Sequence, residues 1–442
     1  MKQTIFLAAL TAFGAIGAFV IEPFVGVAVY YLFAVLRPQY LWKWALPEGI
    51  QWSEMVGWAT VCATGWFLLT RPADTPGDPR RRFSGAHKAF LVFGAWICVT
   101  YLTSQVQDVA WPFFIDYLKI FLMFIVATLV VRSVRQVWWI YILSTASLIY
   151  IAYEMNYVYI TAYRLDIYHN GYGGLDNNGA GLMLAMAVPL AIHGWEASTS
   201  KWRWLLIAGV PVLIHAVLMS YSRGAMLSLV VALPVIIFRS RRKRQFAFVL
   251  VALLWMIPYL AGDEIRDEFF SMKKYDTDSS ANQRFDSWAA AIAIANEYPV
   301  FGAGIRNSSL LTLEHGADRA GRVIHSQYLQ YLADAGYPGL TLYLVALGSL
   351  WLTMARTRRM LKRTDVPDAK RAHSMLNGVE GAMFIFCVGA SFLSLEVFEL
   401  PYVMALLGAQ ISLLTRLQPA EARATVSTVD AASVPFPIAH RA

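Results

Sequence analysis

An all-α, polytopic membrane protein is the fold class this sequence predicts. Three observations carry that expectation. The 442 residues are 57% hydrophobic and only 15% charged, where soluble domains carry about a quarter charged residues. Apolar runs of about 15 to 20 residues recur along most of the chain, and each can cross a hydrocarbon core as a helix. The basic residues gather in short stretches between those runs, which is the orientation signal of membrane insertion. The net charge of +8 therefore points to topology and not to a nucleic-acid partner.

The elements follow in order. Residues 4–36 are apolar except at Glu22-Pro23. As one helix they would reach about 50 Å at 1.5 Å per residue, longer than a bilayer core, and proline breaks a helix interior. The expectation is a broken or re-entrant first element that crosses once. It is expected to be a retained anchor, because the run after Met1-Lys2-Gln3 lacks a small-residue cleavage site. Further spans are expected at 54–70, 88–104, 116–131, 136–154, 178–195, 203–220, 224–238, 245–261, 338–355, 378–397 and 399–415. The basic stretches are Arg80 to Lys88, Arg132 to Arg135, Lys201 to Arg203, Arg239 to Arg244 and Arg356 to Arg363. Placing them in the cytoplasm gives about twelve spans with both termini inside. It puts 37–53, 105–115, 155–177, 221–223, 262–337 and the 397–399 turn outside. The domain reading is a transmembrane bundle over 1–261, a large periplasmic loop with short helices over 262–337, C-terminal helices over 338–416, and a disordered cytoplasmic tail over 417–442. Cys62, Cys98 and Cys387 all lie in apolar runs, so no disulfide framework is expected. No internal repeat is visible.

The polar loop 262–337 holds the sharpest residues. Asp276 and Asp278 have a D-x-D spacing, but a divalent cation needs several oxygens, and a solvated acidic loop is the stronger reading. A helix is expected over 282–297, with Arg284, Trp288, Ala291 and Ala295 on one face. Pro299 ends it, and Gly302-Ala303-Gly304 allows a tight turn. His325 opens a second helical pattern that closes at Gly336, a natural C′ residue, with Pro338 starting the next span. A histidine in a first helical turn meets the positive end of the macrodipole, which disfavours imidazolium. Arg319 and Arg322 push the same way, and a neutral imidazole is what a general base needs. The competing reading is a structural histidine at a helix start.

Arg223, in Ser220-Tyr221-Ser222-Arg223-Gly224-Ala225, falls in a short turn on the outside face. A snorkelling arginine is the plain reading. The positive-inside trend argues against it and for a phosphate clamp. Arg306 and Arg164 are further cations of the outer loops, and His215 lies two turns before Arg223 in one span. Asp116 and Lys119 stand one turn apart and can simply pair. Glu396 and Glu399 flank an outer turn. The glycine-rich stretch from Tyr163 to Asn178 can line a substrate entrance. Cations and a titratable base on one face favour chemistry on an anionic, lipid-linked substrate. A transporter needs its polar groups near the midplane.

Taken together, Ser222-Arg223-Gly224-Ala225, then Arg284-Phe285-Asp286-Ser287-Trp288 with Pro299 and Gly302-Ala303-Gly304, then His325-Ser326-Gln327-Tyr328 with Gly336 and Gly339, resemble the O-antigen ligase and polymerase family of bacterial inner-membrane glycosyltransferases. The resemblance covers about 170–355. Asp176-Asn177-Asn178, Tyr275-Asp276 and Ser280-Ala281 also resemble a ligase subgroup associated with exosortase systems. The resemblance implies a glycan donor on undecaprenyl pyrophosphate, a lipid A–core acceptor, and a place in lipopolysaccharide assembly at the inner membrane. It implies that Arg223 and Arg284 bind the pyrophosphate and that His325 activates the acceptor hydroxyl. Arg319, Arg322, Arg306, Arg164 and His215 are secondary candidates. No metal and no cofactor is implied. A polymerase, a protein O-glycosylation ligase and, from another class, a lipid-linked glycan flippase remain the alternatives.

Overall fold

Glu22-Pro23 divides the first apolar stretch into α1 (Lys2–Val20) and α2 (Pro23–Leu36), with Pro23 at the first helical position, where its missing N–H costs nothing. The two helices pack antiparallel. A Cβ placed on Gly14 would lie 2.9 Å from Val29, and one on Gly17 would lie 2.8 Å from Val25. Small residues let membrane helices approach this closely. Thr4 donates to the Ala45 carbonyl at 2.8 Å and Phe6 packs edge-on against Trp42, so the N-terminus returns to the side of 37–53. At the hairpin tip Glu22 lies 3.9 Å from Arg132. The expected single crossing is thus corrected to a helical hairpin. The glycine stripe makes folding back more favourable than one long broken rod.

The computed structural model describes residues 2–70, 83–245, 279–319, 321–363, 368–395 and 397–432. The span expected at 245–261, the pair Asp276 and Asp278, and Glu396 lie outside the described residues. After the hairpin come α3 (Pro38–Leu41), α4 (Trp52–Thr70), α5 (Gly85–Leu102), α6 (Gln107–Val130), α7 (Val134–Ala162) and α8 (Asp166–Asn170). Next are α9 (Asn177–Ala197), α10 (Arg203–Met219), α11 (Arg223–Arg239), α12 (Ser279–Glu297) and α13 (Ser308–Leu311), then α14 (Gln327–Leu361), α15 (Ala369–Gly389) and α16 (Glu399–Ala432). Among the described residues no strand forms; a single isolated bridge joins Tyr172 and Leu175. Among the described residues six helices, α1, α5, α6, α7, α9 and α14, are long and apolar enough to cross a membrane, and α2 and α10 are shorter and apolar. The protein is an all-α membrane protein.

Helix α9 is the axis of the bundle. Its apolar window is 94% buried, and it packs on α7, α10, α11 and α15. It is apolar all round, as a helix enclosed by other helices must be. The last helix continues as backbone to Ala432.

Segments expected outside meet at one end of the bundle. Asn307 accepts from the Val106 N–H at 2.6 Å, Asn177 donates to the Ser220 carbonyl at 3.0 Å, and the Arg37 guanidinium donates to the Gly173 carbonyl. Segments expected inside meet at the other end. There Ser240 donates to Glu196 at 2.5 Å, Arg241 donates to the Lys370 carbonyl at 3.0 Å, and Arg358 and Arg239 both pair with buried Glu380.

Candidate active site

Helix α12 carries Arg284 in its second turn. The face read from the sequence is buried as expected: Ala291 and Ala295 are fully covered. Ala291, Ile294, Ala303, Ile324 and Ala333 form a small core of their own. The buried Ser287 hydroxyl sits 2.8 Å from the Arg284 carbonyl and 3.1 Å from that of Ile324. One turn of α12 is therefore fixed beside the residue that precedes His325. The helix ends at Glu297, just before Pro299.

His325 differs from its expected place. It is not in the first helical turn. Ser326 is the N-cap, its side chain accepting from the Leu329 N–H, and α14 begins at Gln327. His325 stands before the cap with φ 54°, in the left-handed region where non-glycine residues are uncommon and histidine is among those enriched. A serine hydroxyl caps the free N–H groups better than an imidazole can, which moves the helix start by two residues. The anchor of this segment is Gln327. Its N–H donates to the Ala390 carbonyl at 2.8 Å and its side chain accepts from Leu395 N–H. Farther along, Gly336 leaves the helix at φ 70°, where a side chain would strike the Val300 carbonyl. The kink separates the loop part of α14 from its apolar part, as the Gly336–Pro338 pattern predicts.

Arg223 is the first residue of α11, after the N-cap Ser222 whose hydroxyl accepts from Ala225 N–H at 3.2 Å. A cation there meets the like-signed end of the helix dipole, so an anion brought to this point gains from both. Tyr221, at φ 52°, makes the tight turn out of α10. Gly224 lies 3.7 Å from the Phe392 position when given a Cβ, and Phe392 packs on Trp288, one turn from Arg284. The 390–395 turn thus touches the Arg223 turn, the Arg284 helix and the His325 segment.

The electrostatics place His325, Arg284, Arg322 and Asp176 in one neighbourhood. Burial is the first cause that pushes the His325 imidazole below its ordinary pKa of 6.5; Arg284 and Arg322 add to the push and Asp176 opposes it. Of the expected causes Arg322 remains, while the helix end and Arg319 give way to burial and Arg284. Asp176 is the group the sequence reading left without a role. It caps α9, accepting from Gly179 N–H at 2.8 Å. Its signal was the Asp-Asn-Asn stretch before an apolar run, a helix start whose chemistry only the fold reveals.

The secondary candidates separate. Arg322 is nearly buried and held by both oxygens of Asp318, at 2.6 and 2.8 Å. Arg319 is exposed, its carbonyl accepting from Thr312. Arg306, at φ 59°, lies over the Phe113 ring at 4.8 Å. Asp334 organises that turn, accepting from the N–H groups of Arg306 and Ser308 and from Gln330. Arg164 pairs with Asp166 at 2.9 Å on an exposed loop. His215 lies 2.6 Å from the Asn156 side chain, between α10 and α7. That is a contact between two packed helices. Among the described residues no group of His, Cys, Asp and Glu is arranged to hold a metal.

Fold and site define a polytopic α-helical membrane protein with a polar, arginine-bearing centre at one end of its bundle. The family model described as O-antigen ligase matches residues 208–344, from α10 through the kink of α14. The resemblance carried by Arg223, Arg284 and His325 is therefore shown over that block, which is under a third of the chain. No curated protein matches the chain.

Proposed function

We propose that this protein is an O-antigen ligase that moves a glycan from undecaprenyl pyrophosphate to a lipid A–core oligosaccharide at the periplasmic face of a bacterial inner membrane. The observation that supports this most is the convergence of the Arg223, Arg284 and His325 segments, all three from the block that matches the family model, on the 390–395 turn beyond it. Arg223 and Arg284 clamp the pyrophosphate; the planar fork of a guanidinium suits its oxygens. Neutral His325 takes the proton from the acceptor hydroxyl as its oxygen bonds to the anomeric carbon. The anomeric C–O bond to phosphate breaks, and undecaprenyl pyrophosphate leaves with its new charge held by the arginines. Attack opposite the leaving group inverts the anomeric centre. No carboxylate is singled out as a nucleophile for a covalent intermediate. Arg322 adds to the field around this centre.

The test is transfer by the purified protein from undecaprenyl-pyrophosphoryl glycan to three acceptors: lipid A–core, a second lipid-linked glycan, and a pilin-like protein. Product on lipid A–core alone is expected. Product on the second glycan would make the protein a polymerase, and product on the pilin a protein glycosylation ligase. Cysteine labelling in intact cells checks the sidedness: a cysteine at exposed Glu314 should react with an impermeant reagent, and one at Lys201 should not.

A further inference from the structure

A second polar region stands beside the first and has no part in the chemistry above. It is a cavity of about 220 Å³ between α2, α4, α6 and the start of α16, lined by Arg37, Glu54, Trp58, Asp116, Lys119 and Glu399. Its charges are matched locally. The Lys119 ammonium lies 2.7 Å from Glu54 and 3.4 Å from Asp116. Tyr30 donates to Glu399 at 2.9 Å, and Arg37 donates to the Gly173 carbonyl. Three carboxylates stand against two cations, so a pyrophosphate is a poor occupant. Carboxylates, the amides of Gln39 and Gln51, and the exposed rings of Trp58 and Tyr40 are instead the combination that holds a neutral polyol: oxygens for its hydroxyls and an aromatic face for its C–H surface.

Two links tie the cavity to the His325 centre. Arg37 holds Gly173, three residues before Asp176, which acts on His325. Leu395, bonded to Gln327, leads directly to Val397 and Glu399 in the cavity wall. The arginines stand on α11 and α12, and the cavity stands on other helices. In-line displacement puts the acceptor on the side away from the pyrophosphate. We propose that this cavity is the saccharide subsite of the acceptor, holding a sugar next to the one whose hydroxyl meets His325. The assignment rests on the glycosyl-transfer reading above.

The test uses the full-length protein in lipid nanodiscs and three probes: a delipidated core oligosaccharide, the released donor glycan, and undecaprenyl pyrophosphate alone. Binding is read by saturation-transfer NMR for the two saccharides and by co-purification for the lipid. Glu399→Gln keeps the Tyr30 contact and removes the charge. Trp58→Ala truncates an exposed ring and guards against a folding defect in the first variant. Each should weaken oligosaccharide binding about tenfold, equal to about 1.4 kcal/mol, and raise the acceptor KM to match, while undecaprenyl pyrophosphate binds as in wild type. Oligosaccharide binding that is absent in wild type, or unchanged in both variants, overturns the proposal. Binding of the released donor glycan in place of the core oligosaccharide overturns it too and makes the cavity a donor subsite. If binding falls in the variants but no acceptor is ever glycosylated, the cavity is a saccharide site, and the ligase reading and the acceptor role fail together.

Discussion

Two polar regions lie at the same end of this bundle, and they are built on opposite plans. In the cavity between α2, α4, α6 and α16, Lys119 is met by Glu54 and Asp116. Around His325, burial and two arginines act against protonation, with Asp176 opposing. The first region has little field left over for an anion. The second places Arg223 at a helix N-terminus, where the backbone adds to its charge. The difference teaches that a count of charged residues says little about what a surface binds. Local compensation decides whether a patch takes a phosphate or a sugar.

The largest expected effect breaks the catalytic half of that comparison. His325→Ala should lower the transfer rate by about 10² to 10⁴-fold, the usual worth of positioned proton transfer, with donor binding intact. A variant that cannot bind donor would recast His325 as a phosphate ligand, and one with near wild-type turnover would remove it from the chemistry.

Next come Arg223→Lys and Arg284→Lys. Lysine keeps the charge and loses the fork. Each should cost about 10²-fold in kcat/KM while the protein inserts and purifies normally. Near-normal rates below donor saturation would mean snorkelling or a surface ion pair.

A smaller effect tests the field itself. The imidazole must be neutral to act as base, and its pKa is lowered from 6.5. The wild-type rate should therefore rise with pH through a value below 6.5 and then level off. Asp176 pulls that pKa up. Asp176→Asn keeps the N-cap, since asparagine caps as well as aspartate, and should move the acidic limb to lower pH. A limb that moves upward or stays put would show that Asp176 does not act on His325. The smallest effect is none: excess chelator should leave the rate unchanged. Loss of activity rescued by Mg²⁺ or Mn²⁺ would turn attention to Asp276 and Asp278.

Local signals were legible in the chain. Pro299 after α12, Gly336 at the kink of α14 and the apolar face of Ala291 and Ala295 are found where short-range rules put them, because turns and helix faces depend on neighbours within a few residues. The path of residues 4–36 was not legible. Charge alternation cannot choose between one crossing and a hairpin; the contact of Gly14 and Gly17 with Val29 and Val25 does. The helix start at Gln327 was misplaced for a related reason. His325 and Ser326 both suit a helix start, and the tether of Gln327 to Ala390 and Leu395 fixes which one caps.

By itself the sequence determined the class of this protein, its apolar helices and the residue types able to meet a pyrophosphate. Hydrophobicity and charge act through the solvent that each segment must enter, and that requirement is written residue by residue. Only the tertiary structure decided which polar groups share a neighbourhood. Asp176 and His325 are 149 positions apart in the chain, yet the carboxylate acts on the imidazole. Tyr30 and Glu399, 369 positions apart, meet in the wall of the cavity between α2, α4, α6 and α16. Electrostatic and hydrogen-bonding contacts fall off over a few ångströms of space, and distance in space is set by packing, which no local pattern encodes.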